Sequence, residues 1–413
     1  MQYACRMRAP FDIAVVGGGA SGLTAAIAAS REGRSVAIVD RMPRLGKKIL
    51  ITGGGRCNLG NERLDPGLFH STNPGLVASV LARFGTREIV SFFEGLGLRI
   101  VSDGDRLYPA TNQAASVLKV LEMEVRRRRV SVIPGFEAVS IIRSAEASRA
   151  AASDGRTIEA RAFILAGGGR SYPALGSDGS AYALARTAGH RLIEPVPSCV
   201  PLLVRDPWCH FLQGQRVRAQ AEAWIDGRRA AEALGDVLFT AYGLSGTAVL
   251  DVSTDISIAL HRGKKARAEV VLDLLPDMSA EALSAELARR LEGGWGAADL
   301  VSGLLPEKFG RTIAGLIPGG PPRPARTAAA LAAVLKGKRF AVQGTRGWNE
   351  AEFTSGGVDA GEIDRERLSS KKAPGLYFAG EILDVQGPRG GFNLSWAWAS
   401  GTLAGRAAAG ETG

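Results

Sequence analysis

The segment Ile13-Ala14-Val15-Val16-Gly17-Gly18-Gly19-Ala20-Ser21-Gly22 constrains the fold more than any other part of this chain. An apolar strand, Ile13 to Val16, runs into glycines at 17, 19 and 22. A helix of small residues, Ser21 to Arg31, follows, and then a second apolar strand, Ser35 to Val39. That succession is a βαβ unit. Glycines in such a turn let the backbone approach a pyrophosphate at the helix N-terminus, where unbonded N–H groups and the helix dipole favour negative charge. Asp40 closes the second strand about twenty residues further on, where an acidic side chain accepts hydrogen bonds from a ribose 2′-OH. The pattern predicts a dinucleotide-binding α/β domain.

The same region disposes of one alternative. Ile13 to Ser30 is uncharged and follows a basic N-terminus, as a signal peptide or membrane span would. Four glycines interrupt it where such a segment wants Leu or Val, and the βαβ reading uses all of them. No export signal and no membrane association are expected. The four cysteines, Cys5, Cys57, Cys199 and Cys209, show no framework spacing, so a reduced, cytoplasmic chain is expected. The four histidines are scattered, and no Cys/His cluster has metal-ligand spacing.

A chain of 413 residues exceeds one simple core, so two or three structural units are expected. Arg87 to Gly95 and Asn112 to Arg129 read as helices. Val130 to Ile133 and Arg161 to Ala166 read as strands, the second running into Gly167-Gly168-Gly169, and Val139 to Ala162 suits a hairpin around Asp154-Gly155. From Pro195 the character changes, as Pro195, Pro197, Pro201 and Pro207 punctuate short β-like runs. Helices are expected over Ser279 to Leu291 and Arg326 to Leu335, with a Pro/Gly-rich break at Ile317 to Pro324 between them. The predicted organisation is a first part of the nucleotide domain over 1–194, a β insert over 195–275, a helical piece over 276–325, a return through the insert over 326–345, and the second part of the nucleotide domain over 346–413.

Which dinucleotide is bound depends on the C-terminus. Leu376-Tyr377-Phe378-Ala379-Gly380-Glu381 is an apolar strand ending in Gly-acid, followed by Gly390-Gly391-Phe392-Asn393 opening a helix. In two-dinucleotide-binding flavoproteins a late strand of this kind returns to the first sheet. Its acidic end then lies by the ribityl chain, and the helix dipole stabilises negative charge on the reduced flavin. A plain nicotinamide dehydrogenase needs no such return, so the expected cofactor is FAD. A third motif, Gly46-Lys47-Lys48 through Thr52-Gly53-Gly54-Gly55-Arg56-Cys57-Asn58, offers backbone with little side-chain bulk, suited to a flat ring system. The candidate cofactor residues are Gly17, Gly19, Ala20, Ser21, Gly22, Asp40, Arg41, Lys48, Gly54, Gly55, Asn58, Gly167 and Gly168 in the first part, and Gly380, Glu381, Gly391, Phe392 and Asn393 in the second.

Taken together, G-G-G-A-S-G, G-K-K-x-x-x-T-G-G-G-R-C-N, G-G-x-S-Y-P, L-F-T-x-x-G-x-S-G and F-A-G-E-I-L-D-V-x-G-x-x-G-G-F-N-L-S-W-A resemble the bacterial flavoprotein family that includes aminoacetone oxidases and bile-acid double-bond reductases. The resemblance covers nearly the whole chain. It implies an α/β fold, with a Rossmann-like FAD-binding domain, discontinuous and made of both chain ends, that holds an inserted β-barrel-like domain and a small helical piece. It also implies that Gly53 to Asn58 and Gly390 to Asn393 surround the flavin. Two departures are Ala166-Gly167-Gly168, where relatives commonly have A-T-G-G, and Asp40, where Glu is common.

The candidate catalytic residues are Cys57, Arg56 and Tyr172. Cys57 would border the flavin ring, where a thiol can protonate a substrate carbon; the competing reading is a small buried hydrophobe. Arg56 binds an anionic substrate or stabilises flavin charge, and Tyr172 contacts flavin or substrate or packs a joint. Trp396, Trp398, Cys199 and Cys209 read as packing residues. Three functions compete. In the favoured one, NADPH or NADH acts as a transient reductant, since no second G-x-G-x-x-G is present, and FAD passes the hydride to a conjugated carbon–carbon double bond. Family members are linked to reduction of uridine to dihydrouridine in ribosomal RNA. Residues 1–194 carry 26 Lys/Arg against 17 Asp/Glu, nearly all of the chain's net +10, so a polyanionic RNA partner is compatible. With 6% aromatics a single-strand stacking platform is hard to build. The run Arg126 to Arg129 reads as a solvated helix end. The second function is an aminoacetone-type amine oxidase that produces hydrogen peroxide from a small molecule; the third is a non-enzymatic flavin-binding redox sensor.

Overall fold

In the computed structural model, Phe11–Val16 (β1), Ala20–Arg31 (α1) and Val36–Asp40 (β2) form the βαβ unit that the glycine spacing predicts, with β1 and β2 parallel. The structure describes residues 10–144, 146–263, 265–317 and 324–411, so Cys5 and residues 318–323 of the Pro/Gly-rich break lie outside the described residues. Two compact units are present, one built from the described residues up to Pro195 together with those from Phe353 onward, the other from Val196–Glu352.

In the first unit, α2 (Ala114–Arg127) leads into β3 (Ser131–Pro134), which runs parallel to β2. Then come β4 (Ala138–Ile142), β5 (Ser148–Ala152) and β6 (Thr157–Leu165), giving the sheet order β3-β2-β1-β6-β5-β4. The first half of β6 pairs antiparallel with β5 across the turn at Gly155, while its second half runs parallel to β1. Ile13 to Val16 of β1 and Val36 to Val39 of β2 are buried without polar alternation, as strands covered on both faces are. At the end of α2, the buried Glu124 accepts from Arg127 Nε (2.7 Å) and Arg128 Nε (3.0 Å), with Arg31 at 3.2 Å. Two members of the arginine run are thereby committed to an internal clasp.

The second unit is a closed antiparallel barrel. Its strands are β7 (Leu202–Val204), β8 (Arg216–Ile225), β9 (Arg228–Thr240), β10 (Gly243–Ser245), β11 (Ala268–Asp273) and β12 (Lys338–Thr345), in the order β7-β10-β9-β8-β11-β12. Strand β12 pairs back onto β7 and closes the ring. Along β8 the strict alternation buries Val217, Ala219, Ala221 and Ala223, while Arg216 and Arg218 face out. The small inward residues leave room for α3 (Thr247–Arg262), whose Val249, Val252 and Ile256 join the same core. So do Leu283 and Leu287 of α4 (Ala280–Glu292), Phe309 of α5 (Glu307–Ala314) and Leu331 of α6 (Pro324–Lys336). Cys199 and Cys209 are buried packing residues, and no disulfide forms among the described residues.

The chain re-enters the first unit through β13 (Phe353–Val358) and β14 (Leu376–Phe378), which runs parallel to β6, and ends in α7 (Phe392–Glu411). Helix α7 lies hard against α1. A β-carbon at Gly401 would sit 2.3 Å from the Ser21 carbonyl, and one at Gly405 2.2 Å from that of Ala25, so only glycine permits the approach. Both tryptophans are core residues: Trp396 donates to the Gly380 carbonyl (3.1 Å) and Trp398 to that of Leu59 (3.0 Å). Among the described residues, no helix is long and apolar enough to cross a membrane, and no group of three or more His, Cys, Asp or Glu could hold a metal ion.

Candidate functional site

The glycine turn is forced by sterics. Gly17 has φ +105°, and a β-carbon there would lie 2.4 Å from the Ala166 carbonyl oxygen; one at Gly22 would lie 1.8 Å from the Gly17 oxygen. Over Gly19 the space is open to 4 Å. Helix α1 begins there with no side-chain cap and no acidic residue in its first turn, so Ala20, Ser21 and Gly22 present unbonded N–H groups to an anion. Asp40 turns back on this loop. Its Oδ2 accepts from the Gly18 N–H (2.6 Å) and its Oδ1 from the Met42 N–H (2.7 Å). Burial raises its carboxyl above the ordinary range, and these two hydrogen bonds oppose the rise. Next to it, Arg41 is paired with Asp178 and, at 3.5 Å, with Glu137.

The third motif folds as a turn over Ile49–Gly55. Gly53, Gly54 and Gly55 all have positive φ (+57°, +67° and +86°), and nothing lies within 4 Å of a β-carbon built on Gly54. A bare, open strip of backbone results, with Leu50 and Ile51 exposed beside it. Arg56 is pinned at the end of this strip. Its guanidinium stacks 4.0 Å from the Tyr108 ring, Nε donates to Asn112 Oδ1 (2.5 Å) and Nη2 to Asp103 Oδ2 (3.2 Å).

Cys57 corrects an expectation. It is fully buried in the apolar core of the first unit, its N–H held by the Thr52 carbonyl (2.9 Å), and burial pushes its thiol up to about 12. A proton donor must reach the atom it protonates. This sulfur reaches no open space, so Cys57 packs the loop from beneath.

Asn58 joins the two loops expected around the flavin. With its amide oriented so that Nδ2 donates to the carbonyls of Gly60 (2.8 Å) and Leu107 (3.3 Å), Oδ1 accepts from the Gly391 N–H (3.2 Å). A β-carbon at Gly391 would sit 2.2 Å from the Gly60 oxygen, and Phe392 packs edge-on against Phe69 at 5.8 Å. Asn393 spends its amide within its own turn, accepting from the Gly387 N–H (2.9 Å) and donating to the Gly387 carbonyl (2.7 Å). It shapes the entry to α7 and so positions the loop.

At the end of β6, a β-carbon at Gly167 would lie 2.4 Å from that of Ala181, and one at Gly168 2.7 Å from Ser177 Oγ. Tyr172, half-buried at φ +56°, opens the following 3-10 turn. Two polar groups here went unread in the sequence: the Ser177 and Tyr182 hydroxyls, both buried without a hydrogen-bond partner. Lys48, Ser171 and Glu381 meet beside them, Lys48 Nζ lying 2.7 Å from Ser171 Oγ and 2.8 Å from Glu381 Oε2.

A family profile described as "HI0933-like protein Rossmann domain" matches residues 11–407. The chain belongs to this family. The chain is 40% identical over 407 residues to the "3-dehydro-bile acid delta(4,6)-reductase" of Clostridium scindens, covering 96% of this chain and 98% of the relative. It is 30% identical over 394 residues to the "Ribosomal RNA dihydrouridine synthase" of Escherichia coli, covering 94% and 96%. Among solved structures, a flavocytochrome c3 fumarate reductase in its open conformation shares the fold over 98% of this chain and 79% of its own, with a TM-score of 0.51 at 17% identity. A 3-ketosteroid delta1-dehydrogenase from Sterolibacterium denitrificans does so over 98% and 100%, with a TM-score of 0.50 at 13% identity. This chain is an FAD-dependent oxidoreductase, its FAD domain made of both chain ends and its insert a barrel. The residues present fit FAD. An uncapped helix end with a side-chain-free approach suits the pyrophosphate, and the bare Gly53–Gly55 strip suits a flat ring.

Proposed function

We propose that this protein is an NADPH- or NADH-driven reductase that saturates a carbon–carbon double bond conjugated with a carbonyl group in a small molecule. The observation that carries the proposal is the 40% identity, over nearly the full length of both chains, to a relative named as a delta(4,6)-reductase of a 3-dehydro-bile acid. Bound FAD would supply hydride transfer from nicotinamide to one carbon of the double bond, and a proton from water would complete the other. The chain's own part is to hold and shield that exchange. The uncapped start of α1 takes the phosphate charge, the strip Gly53–Gly55 admits a ring face, and the start of α7 stands behind the Asn58–Gly391 link. Arg56 and Tyr172 retain exposed surface, and we assign the contacts with substrate to them.

A second reading, uridine in ribosomal RNA, is favoured by two relatives named as ribosomal RNA dihydrouridine synthases, at 30% and 29% identity. The chemistry is the same, because the uracil double bond is also conjugated with a carbonyl. Reducing the yellow holoprotein with NADPH or NADH without oxygen, then adding either a 3-oxo-4,6-diene steroid acid or ribosomal RNA lacking dihydrouridine, separates the readings. Return of the visible flavin absorbance with the dienone, together with a product heavier by two hydrogens, is the expected result. Return with RNA alone favours the second reading. A flavin that stays reduced until oxygen is admitted, and that aminoacetone reduces, overturns both in favour of an amine oxidase.

A further inference from the structure

Three segments that are distant in the sequence converge on the carboxylate of a fourth. Glu381 Oε2 accepts from Lys48 Nζ (2.8 Å), while Oε1 accepts from the Thr354 N–H (2.9 Å) and the Ser171 hydroxyl (3.2 Å). Lys48 and Glu381 are 25% and 21% exposed, so the pair is partly shielded from water. It is also built against the dinucleotide turn from both sides. Two residues before Lys48, the Gly46 N–H donates to the Gly18 carbonyl (2.9 Å). Immediately before Glu381, Gly380 holds φ +78°, and a β-carbon there would sit 2.4 Å from Ser21 Oγ, which itself donates to the Ala379 carbonyl (3.3 Å). A β-carbon at Gly169 would lie 3.2 Å from the Glu381 carboxyl carbon.

These contacts put a carboxylate at the margin of the turn whose open N–H groups favour a pyrophosphate. Two negative groups brought close together repel, the more so where partial burial thins the water around them. A poorly hydrated carboxylate that loses its counter-charge is more unfavourable still. Lys48 answers both, because its charge neutralises Glu381 where the carboxylate stands, and its second bond to Ser171 fixes the ammonium in that place.

We propose that Lys48 is a positioning residue for FAD that acts through Glu381, cancelling its charge beside the pyrophosphate turn so that the acidic residue can stand there without repelling the cofactor. The proposal differs from a direct contact between Lys48 and FAD in one testable respect. If Lys48 acts by neutralising Glu381, removing the charge of Glu381 removes the need for it.

The test is the FAD dissociation constant of the full-length holoprotein, read from flavin fluorescence on dilution, for Lys48→Met, Lys48→Arg, Glu381→Gln and the double variant Lys48→Met/Glu381→Gln. Lys48→Met is expected to weaken FAD about tenfold or more, and Lys48→Arg, which keeps the charge, to stay within about threefold of the parent. The double variant is expected to bind at least about threefold more tightly than Lys48→Met alone, an interaction that a double-mutant cycle isolates. A double variant as weak as Lys48→Met, or weaker, overturns the proposal, as does undiminished affinity in Lys48→Met. A pair serving only as scaffold also gives rescue in the double variant, but gives it equally in the urea stability of the apoproteins; a coupling in FAD affinity no larger than the coupling in apoprotein stability therefore overturns the proposal. Where Lys48→Met fails to fold, the double variant still decides: it is expected to fold and retain FAD, and its failure to do so overturns the proposal.

Discussion

A cysteine in a loop expected to border a flavin invites a chemical role, and burial is what removes it here. Cys57 takes a left-handed backbone conformation (φ +59°) one residue beyond three glycines of positive φ, with its side chain in the core beneath the strip. A thiol pushed up to about 12 stays protonated throughout the physiological range, and without access it is neither nucleophile nor acid. Cys57→Ala is therefore expected to keep the rate of flavin reoxidation by the substrate within about threefold, while lowering stability by about 1 kcal/mol for the volume lost. Stopped-flow reoxidation and urea unfolding check the two halves; a rate loss of a hundredfold or more without unfolding would restore the catalytic role. The sequence located this loop but not the direction in which its side chains point. That direction depends on how the loop packs into the core of its unit, whereas the closure of Asn393 onto its own turn is a local contact that no residue pattern marks. The buried hydroxyls of Ser177 and Tyr182 carry no local pattern that would single them out.

At the scale of elements, local signals located helices and strands well, and misjudged their ends where a side chain from elsewhere intervenes. The helix expected from Asn112 starts at Ala114 because Asn112 adopts φ +56° and accepts from Arg56. The strand expected from Arg161 begins at Thr157, since its first half is recruited by the β5 hairpin. The arginine run shows the opposite case, in which a surface-looking pattern contains a buried partner. Glu124 is held down to about 2, foremost by its hydrogen bond from Arg127 and then by Arg128 and Arg31 against the opposing effect of burial. A carboxyl depressed in the folded state stabilises the protein above its unfolded value near 4.5, and that stabilisation is lost as pH falls towards 2. Glu124→Gln is expected to lower stability by about 2 kcal/mol at neutral pH and to flatten the loss of stability across that acid window. Urea titrations at several pH values measure both effects; parallel curves for the two proteins would assign the acid sensitivity elsewhere.

For the molecule as a whole, fold class was more legible than substrate, for a physical reason. The glycine turn, Asp40 and the late Gly-Glu strand constrain backbone geometry, which recurs with the cofactor, whereas the partner of a basic surface depends on which charges are already paired. The net +10 resides almost entirely in the first 194 residues, and on composition alone it admits a polyanion. Around the glycine loop, however, the structure sets Arg41 against Asp178 and Glu137, Lys48 against Glu381, Arg56 against Asp103 and Arg63 against Asp105. A phosphate backbone gains affinity by releasing counterions when free cations replace them, and cations already held by carboxylates contribute little to that release. Any ribosomal RNA binding that relies on these four loop cations is thus expected to show a shallow dependence of log K on log salt, with a slope magnitude below about 2. Turnover of a small conjugated carbonyl compound is expected to change by less than about twofold between roughly 50 and 200 mM salt. Fluorescence anisotropy with a labelled ribosomal RNA fragment, run beside steady-state kinetics in the same buffers, measures the two slopes. A slope of about 6 or steeper, as a protein making many phosphate contacts shows, would mean that RNA displaces these carboxylates, and would move the substrate assignment from a small molecule to a nucleic acid.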